Sequence, residues 1–224
     1  MKHSFPKMLA TVFVAASAFS LEISAADTVP LVIKLPAHTV KGTPEDLPTG
    51  PNIDPPPKTA PAPLQVPAGV VNVALGKKVT GSIAPYSGEL TQVTDGKREP
   101  YDEDVVEFKK GTQWVQVDLG ESVTVHAIAM WHDHRLLQAM RDVIVQISDD
   151  PEFKEGVTTV FNNDSDNSSK LGVGTDREYF ELEFGRIVPV KGVKGRYVRG
   201  YTKGSSLTAI NCWQEIEVYA LPSK

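Results

Sequence analysis

The feature that most constrains this chain is a set of short apolar runs with period two, separated by turn residues. In Gln113 to Leu119, Val115, Val117 and Leu119 share one face. In Asp142 to Ser148, Val143, Val145 and Ile147 do the same, as do Ile216 and Val218 in Trp213 to Ala220. Side chains two apart point to the same side of a strand, so each run predicts a half-buried strand. Val123 to Trp131 and Arg196 to Thr202 are further strands. Turn signals fall between them at Asp95-Gly96, Lys110-Gly111, Gly120, Asp149-Asp150-Pro151, Gly172 to Gly174 and Lys203-Gly204. No long helical period is present, and nothing repeats at a fixed spacing of 20 to 50 residues. The pattern predicts an all-β sandwich or barrel from Val70 onward.

The prolines divide the rest of the chain. Eleven of the 17 fall between Asp27 and Ala68, with Pro-Pro-Pro at 55–57 and Pro-Ala-Pro at 61–63. Proline fixes φ and removes a backbone donor, so residues 27–68 read as an extended, semi-rigid arm. Its composition favours a plain spacer, although Leu31-Val32-Ile33-Lys34-Leu35 is apolar enough to form a short strand or to dock. Ahead of it, Lys2, His3 and Lys7 precede an apolar stretch from Met8 to Leu21 and then Ser24-Ala25-Ala26. That order is the layout of a secretory signal peptide over 1–26. The expectation is an exported protein, periplasmic or extracellular, with no membrane span in the mature chain. The sole cysteine, Cys212, has no disulfide partner, so the exported domain must rely on its core or a bound ion.

Composition narrows the function. Twenty-three basic residues against 28 acidic ones give a net charge of −5, which argues against tracking a phosphate backbone and hence against nucleic acid as a partner. No Gly-x-Ser-x-Gly elbow, His-Glu-x-x-His helix, phosphate loop or Cys/His signature is present, so the sequence offers no enzyme chemistry.

The strands, read in order, resemble the discoidin family, the coagulation factor five/eight type C domain, of which family 32 carbohydrate-binding modules are close relatives. The resemblance rests on six segments. They are Asn72 to Thr80, Val93-Thr94-Asp95-Gly96, Trp114 to Gly120, Asp142 to Ser148, Arg196-Tyr197-Val198-Arg199 and Glu215-Ile216-Glu217-Val218-Tyr219. It implies a galactose-binding-domain-like jelly-roll β-sandwich over 69–224. It also implies a structural calcium ion held by the Asp95 and Glu215 carboxylates and the carbonyls of Gln92, Lys97 and Gln214. Hard cations take oxygen ligands of this kind. The family's threonine after Asp-Gly is missing; Asp102, Glu103 and Asp104 stand in a longer acidic loop instead.

The resemblance further implies carbohydrate recognition through loops at one end, with His134, Arg135, Tyr101, Asn211 and Trp213 as the ligand region. Sugars offer C–H faces to aromatic rings and dense hydroxyls to polar groups. The expected partner is a glycan or cell-envelope polysaccharide. The alternative is an adhesion domain that binds an envelope protein and no sugar. Two side readings remain open from the residues alone. His132 and His134 sit two apart, a spacing that suits a transition metal but lacks a third ligand. Asp164-Ser165-Asp166-Asn167 is either a second calcium loop or, as its missing glycine favours, a polar turn.

Overall fold

The computed structural model describes residues 28–40, 47–101 and 104–222. The expected signal peptide, Asp102 and Glu103 lie outside them. Among the described residues strand takes up 42% and helix 3%, so the all-β expectation holds. The strands are Thr28–Pro30 (β1), Gln65–Pro67 (β2), Val71–Asn72 (β3), Lys78–Gly81 (β4), Val106–Phe108 (β5), Gln113–Trp131 (β6) and Ala139–Met140 (β7). Ile144–Ser148 (β8), Thr158–Asn162 (β9), Tyr179–Phe180 (β10), Arg186–Thr202 (β11), Asn211–Trp213 (β12) and Glu215–Ala220 (β13) complete the order. A 3-10 turn spans Leu90–Thr94.

Two long strands make the sandwich. β6 and β11 pair antiparallel along their length, from Gln113 opposite Thr202 to Met130 opposite Arg186, with irregular register near Pro189 and Gly195. Their outer neighbours change along the way. Val115–Asp118 lies beside β4, and Tyr197–Tyr201 lies beside β8, which in turn pairs with β9. Past the bend, Val125–Trp131 lies beside β13, and β13 beside β3. One hydrogen-bonded ladder thus folds over on itself into two facing layers. The sequence pattern breaks β6 at Gly120. The structure instead runs the strand through that residue, in a bulge where the register against β11 steps from Asp118 to Val123, and its φ of +90° bends the strand where a side chain would strain it.

The core lies between the layers. Val79, Val115, Val117, Val145, Ile147 and Val198 face Ile128, Met130, Ile216 and Val218 from the other layer. Trp213 plugs the gap, and a Cβ on Gly200 would sit 2.5 Å from its ring. That close approach explains a glycine in mid-strand.

The arm is more than a spacer. β1 pairs with β2, so the chain doubles back before entering the sandwich. Leu31 and Val66 then cover the outer face of β6 at Ala127, Ala129 and Trp131, together with Tyr219 of β13. Further along, Asp54 N–H donates to Glu178 O at 2.9 Å, and Arg177 donates to Pro51 O and Ile53 O. Proline-rich backbone can dock this way because a few apolar anchors and fixed φ angles lower the ordering entropy. Replacing Leu31 by Asp places a charge where only 8% of the side chain meets water. The expected result is a loss of roughly 2–3 kcal/mol and new trypsin cleavage after Lys34, read by thermal melting and limited proteolysis. An unchanged digest would mean the arm does not dock.

Candidate functional site

The loops after β4, before β5, after β6 and before β12 gather at one end. Antiparallel β5 and β12 tie two of them together, Ser87 bridges to Glu107, and Met140 bridges to Ser205. At this end the Asp95-Gly96 turn meets the start of β13.

Glu215 points to the outer face of its strand because Ile216 and Val218 take the core face. The Asp95–Arg98 turn closes over it, so its carboxylate has no exposed surface. Gly96, at φ +84°, aims its N–H at both Glu215 oxygens, at 3.3 and 3.2 Å. The nearby guanidinium, Arg98, is committed to Glu217. Burial pushes the Glu215 carboxyl up to about 9, with the Gly96 N–H opposing that shift and the charge of Asp95 adding to it. Near neutral pH this carboxylate calls for either a proton or a cation.

The other expected calcium ligands lie around it. The Asp95 Oδ1 accepts from Lys97 N–H at 2.9 Å, the mark of an Asx turn. Gln92 O accepts from Asp95 N–H at 3.5 Å, and Lys97 O accepts from Gln214 Nε2 at 3.4 Å. The Gln214 Oε1 is buried with no partner. Two carboxylates, several carbonyls and an orphaned buried oxygen are a hard-cation donor set, so the residues present fit such an ion. Asp104 does not join the set; its Oδ1 sits 3.2 Å from Lys97 Nζ and neutralises that ammonium.

The five ligand-region residues divide. Tyr101 is exposed, and Arg135 is partly exposed. Arg135 is held in a fork by Asp133, with Nε to Oδ1 at 2.9 Å and Nη2 to Oδ2 at 2.7 Å. The other three are scaffold. Trp213 is fully buried in the core, so its ring is not offered to a ligand. Asn211 is buried and saturated: its Nδ2 donates to Lys109 O and Gly111 O, and its Oδ1 accepts from Gly204 N–H. His134 is buried with both ring nitrogens engaged, Nδ1 at 2.8 Å from Thr39 Oγ1 and Nε2 at 2.8 Å from Arg98 O. His134 therefore clamps the arm, the Asp-Gly turn and the Arg135 loop together.

His132 is also enclosed, 2.8 Å from Glu181 Oε2 and tilted against Trp213 at 4.5 Å between ring centres. Sequence reading missed Glu181, which stands in no motif. With His132 and His134 each engaged elsewhere, the pair does not converge on a metal. Cys212, half-buried in β12, has its thiol pushed up to about 12 by its surroundings, which disfavours the thiolate a nucleophile needs. In the 164–169 turn the Asp164 carboxylate accepts the Ser168 and Ser169 N–H groups, as a polar turn does. Asp142 joins it from outside the motif, bringing three carboxylates within 4.8 Å of one another.

A β-sandwich whose long strands fold over, with an Asp-Gly turn closed on the last strand and loops gathered at one end, defines the galactose-binding-like class. The model of the NedA-like, galactose-binding domain of the F5/F8 type C group matches residues 92–199. That stretch is similar to a galactose-binding domain of the F5/F8 type C group and takes in just under half of the chain. No curated protein matches the sequence. Among solved structures it is similar to chitosan-binding module 1 of a Paenibacillus sp. IK-5 chitosanase/glucanase, at 22% identity, 67% of this chain, 99% of that one and TM-score 0.47. It is also similar to a Streptococcus pneumoniae fucose-binding module, at 18% identity, 68% and 99% coverage and TM-score 0.48. A third is a Clostridium perfringens CBM32 module in complex with GlcNAc-α-1,4-galactose, at 17% identity, 69% and 97% coverage and TM-score 0.48.

Proposed function

We propose that this chain is an exported, non-catalytic binding module that recognises carbohydrate through the loop end, on a sandwich stabilised by calcium. The observation that carries the reading is the match of residues 92–199 to the model of a galactose-binding domain, combined with a loop end that keeps Tyr101 and Arg135 at the surface. Tyr101 supplies a ring for the C–H face of a sugar. Arg135, held in place by Asp133, puts a partly exposed guanidinium at the same end, a group that recognises hydroxyls and carboxylates. Asp95, Glu215 and the carbonyls of Gln92, Lys97 and Gln214 would hold the ion. When bound, calcium supplies positive charge that takes the place of a proton on Glu215 and ties the Asp-Gly turn to β13. Export rests on the layout of residues 1–26. Among the described residues no helix is long and apolar enough to cross a membrane.

A glycan-array screen of the chain, with and without chelator, tests the reading. Arg135→Ala is expected to weaken a bound sugar roughly tenfold or more, since a charge-assisted hydrogen bond is lost, while the melting temperature stays within a few degrees. Unchanged affinity in the titration removes Arg135 from the site. One observation favours a protein partner instead: Tyr86, Leu136 and Leu207 are also exposed on loops of this end, and such apolar side chains suit a polypeptide surface. No sugar binding at millimolar concentration, with clean capture of one cell-envelope protein, would establish that second reading.

A further inference from the structure

The arm and the sandwich enclose a cleft that the loop end does not use. Its volume is about 680 Å³, within the range of small-ligand pockets. One wall is arm, chiefly Pro55, Pro57, Pro61 and Pro63. Prolines present rings and no N–H, so this wall offers a ligand little but apolar surface. The facing wall runs from Tyr179 through Phe180, Leu182 and Phe184 to the start of β11.

Arg186 stands in that wall. Its guanidinium lies 5.0 Å from the centre of the Phe161 ring and 5.1 Å from that of Tyr179. The chain has seven arginines. Arg98, Arg135, Arg141, Arg177 and Arg196 each pair with a carboxylate, and Arg199 donates to Gln116 and Pro151. Arg186 alone has no hydrogen-bond acceptor among the described residues, and its Nε–H is buried without a partner. Asp54 also lines the cleft but is committed to Arg177. Ring faces compensate a guanidinium in part. They leave its in-plane donors unmet, and a fork of in-plane N–H groups is the geometry that receives a carboxylate.

We propose that the cleft between the proline arm and the Tyr179–Pro189 wall is a second ligand site. It takes a small molecule with an aromatic or aliphatic body and a single carboxylate, anchored by Arg186. The apolar body fills the space between the prolines and Phe180, Leu182 and Phe184. The carboxylate meets the guanidinium at the inner wall. The site is separate from the loop end and does not depend on sugar recognition there. The docked arm supplies half of it, which gives the proline-rich segment a role beyond covering β6.

The test is an amide-resolved NMR titration of the full chain with 4-phenylbutyrate and with its neutral counterpart 4-phenylbutyramide. The acid is expected to shift the amides of Leu182, Phe184, Gly185 and Ile187 and to bind at least tenfold more tightly than the amide. Arg186→Gln, which keeps a planar group over the two rings, is expected to cancel that preference by weakening the acid and leaving the amide unchanged. Should that variant fail to fold, the acid-to-amide ratio on the native chain decides alone. A ratio near one, shifts confined to other residues, or equal loss of both probes in Arg186→Gln would overturn the proposal.

Discussion

Chelation at pH 8 is expected to lower the melting temperature of this protein by roughly 10 °C, and calcium to restore it, while the same chelator at pH 5 changes little. The sign follows from Glu215. Its carboxyl rises from 4.5 to about 9 when the fold buries it. Without an ion, the folded chain holds a proton that the unfolded chain has released, so its stability is fullest below pH 4.5. That stability falls steadily as the pH climbs toward 9. The loss by pH 8 is on the order of 5 kcal/mol at most, because each pH unit in the window costs about 1.4 kcal/mol. A cation reverses this by taking the ionised carboxylate. A ligand bound only to the native state at a thousandfold over its Kd contributes about 4 kcal/mol, and each kcal/mol moves the midpoint of a domain this size by about 2–4 °C. Glu215→Gln separates the two effects. The amide keeps an acceptor for the Gly96 N–H but carries no titrating charge, so its melting temperature should be flat across the window and indifferent to calcium. A native chain that melts at one temperature from pH 5 to pH 8, with or without chelator, would mean that folding does not raise the Glu215 carboxyl and would leave the calcium site without support.

The parts of this structure that the sequence announces are those set by local periodicity. Val115, Val117 and Val145 face inward because strand geometry leaves alternate side chains no other choice. Gly120 announced a turn, and there local reasoning stopped short: a glycine at positive φ bends a strand as readily as it ends one, and only the β11 partner decides which. The Asp95–Glu215 pair was visible only through family resemblance, since 119 residues separate the Gly96 N–H from the carboxylate it meets. Trp213, Asn211 and His134 have the composition of a sugar site. Their burial depends on what other segments lay over them, such as Gly200 under the Trp213 ring and Thr39 against His134. The docking of the arm was least legible. Proline-rich chain forms few local hydrogen bonds, so both the β1–β2 pairing and the docking on the sandwich join residues far apart, and no period in the sequence records them.

The largest single loss of stability is expected from His132→Ala. His132 and Glu181 have no exposed side-chain surface, and their 2.8 Å contact is the one hydrogen bond that the Glu181 side chain makes among the described residues. The Glu181 Oε1 and the His132 Nε2 are already without partners. Removing the ring strips the carboxylate of its remaining donor in a site with no water-facing atoms, and breaking one side of such a buried pair costs about 3–5 kcal/mol. The ring also packs on Trp213, so a cavity adds to that cost. Glu181→Gln should be milder, near 1–2 kcal/mol, because its carbonyl still accepts from Nδ1. The double variant His132→Leu, Glu181→Leu should lose less than His132→Ala and Glu181→Gln combined, since it leaves no orphaned polar atom. Denaturant melts of the four proteins measure these differences directly. A loss below about 1 kcal/mol for His132→Ala would show that Glu181 finds another donor or water when the ring is gone. The buried pair would then be incidental to the loop that carries Arg135. The expected loss would instead make it the post on which that loop stands, because His132 is the first residue after β6 and Arg135 follows three positions later.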